Sequence, residues 1–340
     1  MMKPFVGNRM RQPKLIGKFI LLFLLLFVAF LISLNSGLIR VAPMEVIRTL
    51  AGYGSGESSI VMFDIRLPRI VIAMLVGAGF AVSGAIMQGI SQNGLADPGI
   101  LGINAGAGLG VVLYIAYFFG KIQLAPIYML PLMAFIGAAA AALFVFTLAY
   151  KDGKIIPMRL LLVGIATGAG ISAAMLFLTY RMNAYNYDFV KIWLSGSIWG
   201  TNWSYVVAVL IWMIVLLPYA IYKAHRINLL YMGEEIAAGV GLSVQKERAI
   251  LMAIAVGLAG SCVAVAGSIG FVGLIAPHLA KLMIGRNYKV LLPSAAIIGS
   301  ILVLISDTIG RIIAQPVDIP VGIVTAAVGA PYFLYLLTKK

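Results

Sequence analysis

The residues that could do chemistry are few, and they sit at the margins of apolar runs. Asp64-Ile-Arg66-Leu-Pro68-Arg69 precedes one run, and Asp307 and Arg311 close another. An i,i+4 spacing puts a carboxylate and a guanidinium on one helix face as an ion pair. These arginines read either as anchors that snorkel to a membrane surface or as a positive docking surface for an acidic partner. An intramembrane Asp can also carry protons, but Asp307 has a cation four residues on. His225 and His278 are the only histidines and Cys262 the only cysteine. That excludes a multi-His metal centre and an intrachain disulfide framework, and no cofactor is implied. His278 follows Pro277 near a helix start, where a hydrogen-bonded structural role is commoner than a ligand or base. Cys262 lies in an apolar run as a small buried hydrophobe. No Lys precedes Ser or Thr, so a phosphate-binding loop ending Gly-Lys-Ser/Thr is absent. Any ATP used must be bound by another chain.

The elements that hold these residues follow from composition. Of 340 residues, 62% are apolar without counting Gly and 11% are charged. Soluble chains run at about 45–50% and about 25%. Too few polar groups remain to cover a water-facing surface, so the chain is an integral membrane protein. Its net charge of +14 then reports cytoplasmic Lys and Arg rather than nucleic acid. About 20 apolar residues cross the hydrocarbon. Splitting the chain at its charges gives spans at 19–39, 70–90, 101–119, 126–150, 160–180, 204–222, 249–266, 274–284, 291–309 and 320–337. The fold class is all-α and polytopic, with about ten transmembrane helices, the eighth only half-length. Residues 1–18 form a cytoplasmic segment and 19–340 a single transmembrane domain. The first run ends in Ser33-Leu-Asn-Ser-Gly37 rather than a cleavage site, so it is an uncleaved anchor. With the N-terminus inside, seventeen of the 25 Lys and Arg fall on inner segments and eight on outer ones. This bias puts both termini in the cytoplasm. Arg66, Arg69 and Arg311 oppose it and need their own account.

Small residues mark where helices pack or break. Gly102-x-x-x-Gly106-x-x-x-Gly110 and Gly164-x-x-x-Gly168 allow close helix approach. Gly270-Phe-Val-Gly-Leu-Ile-Ala-Pro277 interrupts a run at membrane depth, where irregular backbone must be buried in protein or line a cavity. Gly77-Ala-Gly-Phe-Ala-Val-Ser-Gly-Ala-Ile86 resembles Gly260-Ser-Cys-Val-Ala-Val-Ala-Gly-Ser-Ile269, and each precedes a Leu-x-x-Pro. In the assigned topology the two copies run in opposite directions, an inverted repeat of transporter type. The longest inner loop, 223–248, contains Gly233-Glu-Glu-Ile-Ala-Ala238, which reads as a short helix ended by Gly239 and Gly241. Its apolar residues suit either docking on another protein or lying on the membrane.

Taken in order, Arg66-Leu-Pro-Arg69, Gly77-Ala, Ser83-Gly84, Met87-Gln88, Asn93-x-Leu-Ala-x-Pro98, Leu101-Gly102, Trp193-Leu-Ser-Gly-Ser197, Gly233-Glu-Glu-x-Ala237, Gly270 to His278, Asp307, Arg311, Pro320-x-Gly-x-x-Thr325 and Gly329-Ala-Pro331 resemble the FecCD-type permeases. These are the membrane subunits of ABC importers for iron(III)-siderophores, haem and vitamin B12. The resemblance covers residues from about 60 to the C-terminus. It implies a type II ABC importer permease fold and a multi-pass protein of the bacterial cytoplasmic membrane. It also implies partners: two ABC ATPase subunits, a second permease subunit, identical or paralogous, and an extracytoplasmic substrate-binding protein. Iron(III)-siderophore is the expected cargo, with vitamin B12 or haem as alternatives; Pro157-Met158 replaces small hydroxyl residues of the vitamin B12 permease. By the same resemblance Arg66, Arg69 and Arg311 dock the binding protein. Gly233, Glu234, Glu235, Ala237 and Gly241 belong to the loop that couples to the ATPase. Asn93 and Leu95 lie at the cytoplasmic gate, with Gly94 where the family often has Pro. Two other classes stand beside this one. An ion-coupled secondary transporter would need intramembrane acids, of which only Asp307 is a candidate, and an intramembrane enzyme would need a catalytic pair that is not evident.

Overall fold

The computed structural model describes residues 12–37, 43–50, 53–54, 56–119, 126–151 and 154–338. The expected inner charges Lys3, Arg9, Arg11, Lys339 and Lys340 lie outside them. Apolar runs become helices because backbone groups at membrane depth must bond within their own segment. The chain forms α1 (Gln12–Asn35), α2 (Pro43–Leu50), α3 (Gly56–Ser59), α4 (Leu67–Ser91), α5 (Ile103–Tyr117), α6 (Pro126–Ala149) and α7 (Pro157–Tyr180). It continues with α8 (Ala184–Leu194), α9 (Trp203–Tyr231), α10 (Glu234–Gly239), α11 (Val244–Ala266), α12 (Val272–Ile284), α13 (Tyr288–Ile313) and α14 (Val321–Thr338). Among the described residues, seven helices are long and apolar enough to cross a membrane, and three shorter apolar ones match the remaining expected spans. A two-residue hairpin, Tyr150–Lys151 with Lys154–Ile155, turns the chain between α6 and α7.

Two features depart from the expected organisation. The sixth span does not stop at 222: α9 continues to Tyr231 and α11 begins at Val244, so most of the expected loop 223–248 is helix. Lys223, His225 and Arg226 did not break the helix, because Lys223 pairs with Glu247 of α11 and the other two are exposed. Between the fifth and sixth spans stands α8, an extra helix whose N-cap Asn183 accepts a hydrogen bond from the Asn186 amide at 2.8 Å.

The bundle is organised around α4. A π-helical turn, Ile60–Arg66, leads straight into it, and 83% of its apolar window is buried, against 11% for α1 or α7. It packs on α9, α11, α12 and α13, while α5, α6 and α7 form a neighbouring group joined through α11. With no water to expel from between helices, close packing supplies the attraction. A Cβ at Gly77 would strike the Gly299 carbonyl of α13, and one at Gly84 the Gly273 carbonyl of α12. The Ser83 hydroxyl donates to the Ala255 carbonyl at 2.6 Å, and Ser300 donates to that of Met74 at 2.7 Å. Of the glycine motif in the third span, Gly106 and Gly110 meet α6, as the spacing suggests. Gly102 does not; it sits at φ +74° as the residue before α5.

Both halves break near the expected places. After α4, residues Pro98–Leu101 form a 3-10 turn whose cap Asp97 accepts from the Gly99 amide at 2.7 Å. After α11, Gly267 turns at φ +68° and Phe271 also adopts φ +68°, which costs a side-chain-bearing residue energy. This second break is enclosed by protein: Gly267 abuts the Trp193 carbonyl and Gly329 the Phe271 ring. The two similar segments thus each precede irregular backbone and a short apolar helix. They differ in that Leu95-x-x-Pro98 comes before its helix, whereas Leu274-x-x-Pro277 lies inside α12.

Candidate functional site: two polar ends of one bundle

At one end the π-helical turn delivers Arg66, and Pro68 at the start of α4 fixes the entry of Arg69 one turn on. The three sequence-predicted arginines do meet here, but not as an exposed patch. Arg66 is 4% exposed and Arg311 6%. Arg66 donates through Nη1 to the Leu34 carbonyl at 2.6 Å. Arg311 donates to the Ser36 carbonyl at 3.0 Å and the Ser33 hydroxyl at 2.6 Å. A helix leaves its last carbonyls unbonded and its C-terminus negative. Two guanidiniums therefore complete the end of α1, and neither snorkels freely.

Asp307 stands between the guanidiniums of Arg69 and Arg311. Its Oδ1 accepts from Arg69 Nε at 3.0 Å and Nη2 at 2.8 Å. Its Oδ2 faces Arg311 Nε at 3.1 Å, the i,i+4 pair expected from spacing, as a charge contact without hydrogen-bond alignment. The third member was not foreseen: Asp318, between α13 and α14, accepts from Arg69 Nη1 at 2.7 Å. All but Asp307 line a cavity of about 620 Å³ walled also by Ile192, Trp199 and Val317.

At the opposite end α10 is built as the sequence suggests. Gly233 at φ +117° opens it and Gly241 at φ +83° closes it, conformations that favour glycine. Ala237 faces inward and is fully buried, as is Leu242 nearly so; Ile236 and Val240 point out, 53% and 63% exposed. Glu234 pairs with the buried Arg248 of α11, and Glu247 pairs with Lys223 of α9 at 3.0 Å. Arg248, which the sequence reading passed over, also donates to the Ile155 carbonyl at 3.4 Å.

Asn93 and Leu95 lie on the loop that leaves α4 at this same end. The Asn93 Oδ1 accepts from the Leu95 amide at 3.0 Å, a side-chain turn that stands in for a rigid residue. Gly94 between them has open space around it, so the turn does not need the family's proline. Gln92 donates to the Leu230 carbonyl at 2.8 Å, and Lys281 of α12 donates to Gln88 of α4 at 2.7 Å. Further in, a second cavity of about 300 Å³ lies between α5 and α7, with Asn104, Ser172 and Ser268 on its wall. His278 meets Tyr332 edge-on at 5.9 Å, a packing role. Among the described residues no group of His, Cys, Asp or Glu could hold a metal.

The chain is thus a multi-pass helical bundle with a charged network at one end and a clamped short helix at the other. The FecCD transport family model matches residues 25–339, and the chain belongs to that family. It is 47% identical over 320 residues to the iron(3+)-hydroxamate import system permease protein FhuG of Bacillus subtilis, covering 93% of this chain and 95% of that one. It is 41% identical over 327 residues to the iron-uptake system permease protein FeuC of the same organism, covering 95% and 97%. Among solved structures it resembles an inward-facing one assigned to the metal-chelate type of ABC transporter. That likeness has a TM-score of 0.82 at 30% identity, over 97% of this chain and 100% of that one. The protein is an ABC importer permease subunit of all-α, multi-pass fold.

Proposed function

We propose that this subunit moves iron(III)-hydroxamate chelates inward across the cytoplasmic membrane. The observation that carries the reading is an arginine network beside a cavity at one end of the bundle and a short helix with exposed apolar residues at the other. At the end bearing Arg66, Arg69 and Arg311, facing outward, the arginine cluster and the open cavity receive an acidic, chelate-loaded binding protein. At the other end, in the cytoplasm with both chain termini, the exposed Ile236 and Val240 of α10 seat in a groove of a separate ATPase. Two ATPase subunits and a second permease complete the importer, and ATP is hydrolysed in those partners. The loop with Asn93 and Leu95 closes the cytoplasmic mouth. The hydroxamate class is supported by 47% identity to a hydroxamate-system permease and by the uncharged wall of the second cavity, mostly small and apolar residues. A bulky chelate of little charge needs room rather than tight coordination.

The test is competition. Proteoliposomes holding the complete importer are given iron-55 as a trihydroxamate chelate, with unlabelled ferric tricatecholate, haem or vitamin B12 in excess. The reading expects uptake that only unlabelled hydroxamate suppresses. Equal or greater suppression by one of the others reassigns the cargo.

A further inference from the structure

Arg69 is filled from two sides by unequal partners. Asp307, 1% exposed on the rigid α13, takes the Nε and Nη2 edge. Asp318, 28% exposed, takes Nη1. A planar guanidinium offers separate edges to separate carboxylates. The inner edge is therefore committed to the core, and the edge at the cavity is covered by a residue that solvent reaches. Any carboxylate arriving through the cavity meets Asp318 already in its place.

Asp318 is also tied to what lies below. Its segment supplies Pro316, Val317 and Pro320 to the cavity wall. The Ile319 amide donates to the Gly310 carbonyl at 3.2 Å and the Gly322 amide to that of Gly196 at 2.9 Å. Gly322, in the first turn of α14, lies against the carbonyls of Ser195 and Ser268. Ser268 in turn lines the second cavity. One short stretch of backbone thus connects the Arg69 edge to the start of α14 and to the second cavity.

The geometry points to Asp318 as an internal stand-in for the binding protein's carboxylate: on docking, that carboxylate replaces Asp318 on Arg69 and frees the segment 314–320. This rests on the docking role proposed above and goes beyond it by naming the competitor. The exchange trades one ion pair of Arg69 for another, breaks no covalent bond and leaves the displaced Asp318 carboxylate to solvent, so the swap is reversible. Asp307 could not serve, because breaking a buried pair leaves an uncompensated charge. Asp318 is a positioning residue: it acts through Arg69 and the segment it holds.

The experiment uses the full importer in nanodiscs and its chelate-loaded binding protein, with association followed by surface plasmon resonance. Asp318→Asn removes the competitor, and docking tightens about two- to fivefold at low salt, in line with one exposed ion pair. Chelate moved per ATP hydrolysed falls, because release of the segment no longer waits for the partner. Asp318→Glu returns both readouts to wild type, which loss of mere loop packing would not do. Asp318→Ser, a second neutral variant, gives the same tightening if Asn impairs insertion. Unchanged or weaker docking in both neutral variants, while Arg69→Ala weakens it, overturns the stand-in and leaves the docking reading intact. Arg69→Ala docking as wild type instead removes the docking reading, and the stand-in with it.

Discussion

Asp307 is the residue on which the arginine end turns. It is buried, and it contacts both Arg69 and Arg311. Losing one partner of a buried ion pair costs about 3–5 kcal/mol, because the other charge stays behind in low dielectric. Asp307→Asn keeps the volume and removes the charge. Its purified variant is expected to unfold at a clearly lower temperature than wild type, while Asp318→Asn, at a partly exposed pair, shifts it little. Equal shifts in the two variants would show that burial does not rank these pairs. The Asp307–Arg311 pair was readable because four residues on one helix set it. Arg69–Asp318 was not, since those residues are 249 apart in sequence and only the packing of α4 on α13 brings them together. Nor was the burial of Arg66 and Arg311 readable. The acceptors they satisfy are Ser33, Leu34 and Ser36 of another segment, which carry no charge pattern of their own.

At the scale of elements, α10 separates what holds the loop from what a partner can touch. Ala237 and Leu242 face inward and Glu234 is clamped to Arg248, so they fix the helix in place. Ile236 and Val240 are exposed and satisfy nothing within the chain's core. An exposed substitution away from such features changes stability by about 0.5 kcal/mol or less. Ile236→Asp together with Val240→Asp is therefore expected to leave the bundle folded and cut chelate transport by tenfold or more in the assembled importer. Thermal unfolding and transport measured on one preparation check this; normal transport with both aspartates present would remove α10 from the ATPase interface. Ala237 makes a poor probe, since a bulky residue there disturbs the clamp itself. Spans and the short helix were legible because apolar runs, glycines and flanking charges are local signals. The extension of α9 through Lys223 and Arg226 was not, because charge reads as an end of membrane even where the helix goes on. The helix α8 was missed for a related reason: at 184–194 it is too short and too polar for a span.

For the whole molecule, the arginine network and α10 lie at opposite ends of one bundle, and under the proposed function the chelate passes between them. The ordered set of motifs carried the family because their order along 340 residues is specific, although each motif alone is weak. The cargo was less legible, since a roomy apolar wall discriminates by shape and leaves little residue-level signature. The competing class, an ion-coupled transporter, would place its working acid at Asp307, which the structure instead shows locked between two arginines. The decisive measurement is iron-55 hydroxamate uptake by proteoliposomes containing the permease, its ATPase and, outside, its binding protein. Uptake should require all three together with ATP inside the vesicle, and should survive collapse of proton and sodium gradients. Accumulation by the permease alone, driven by an imposed ion gradient without ATP, would contradict the account.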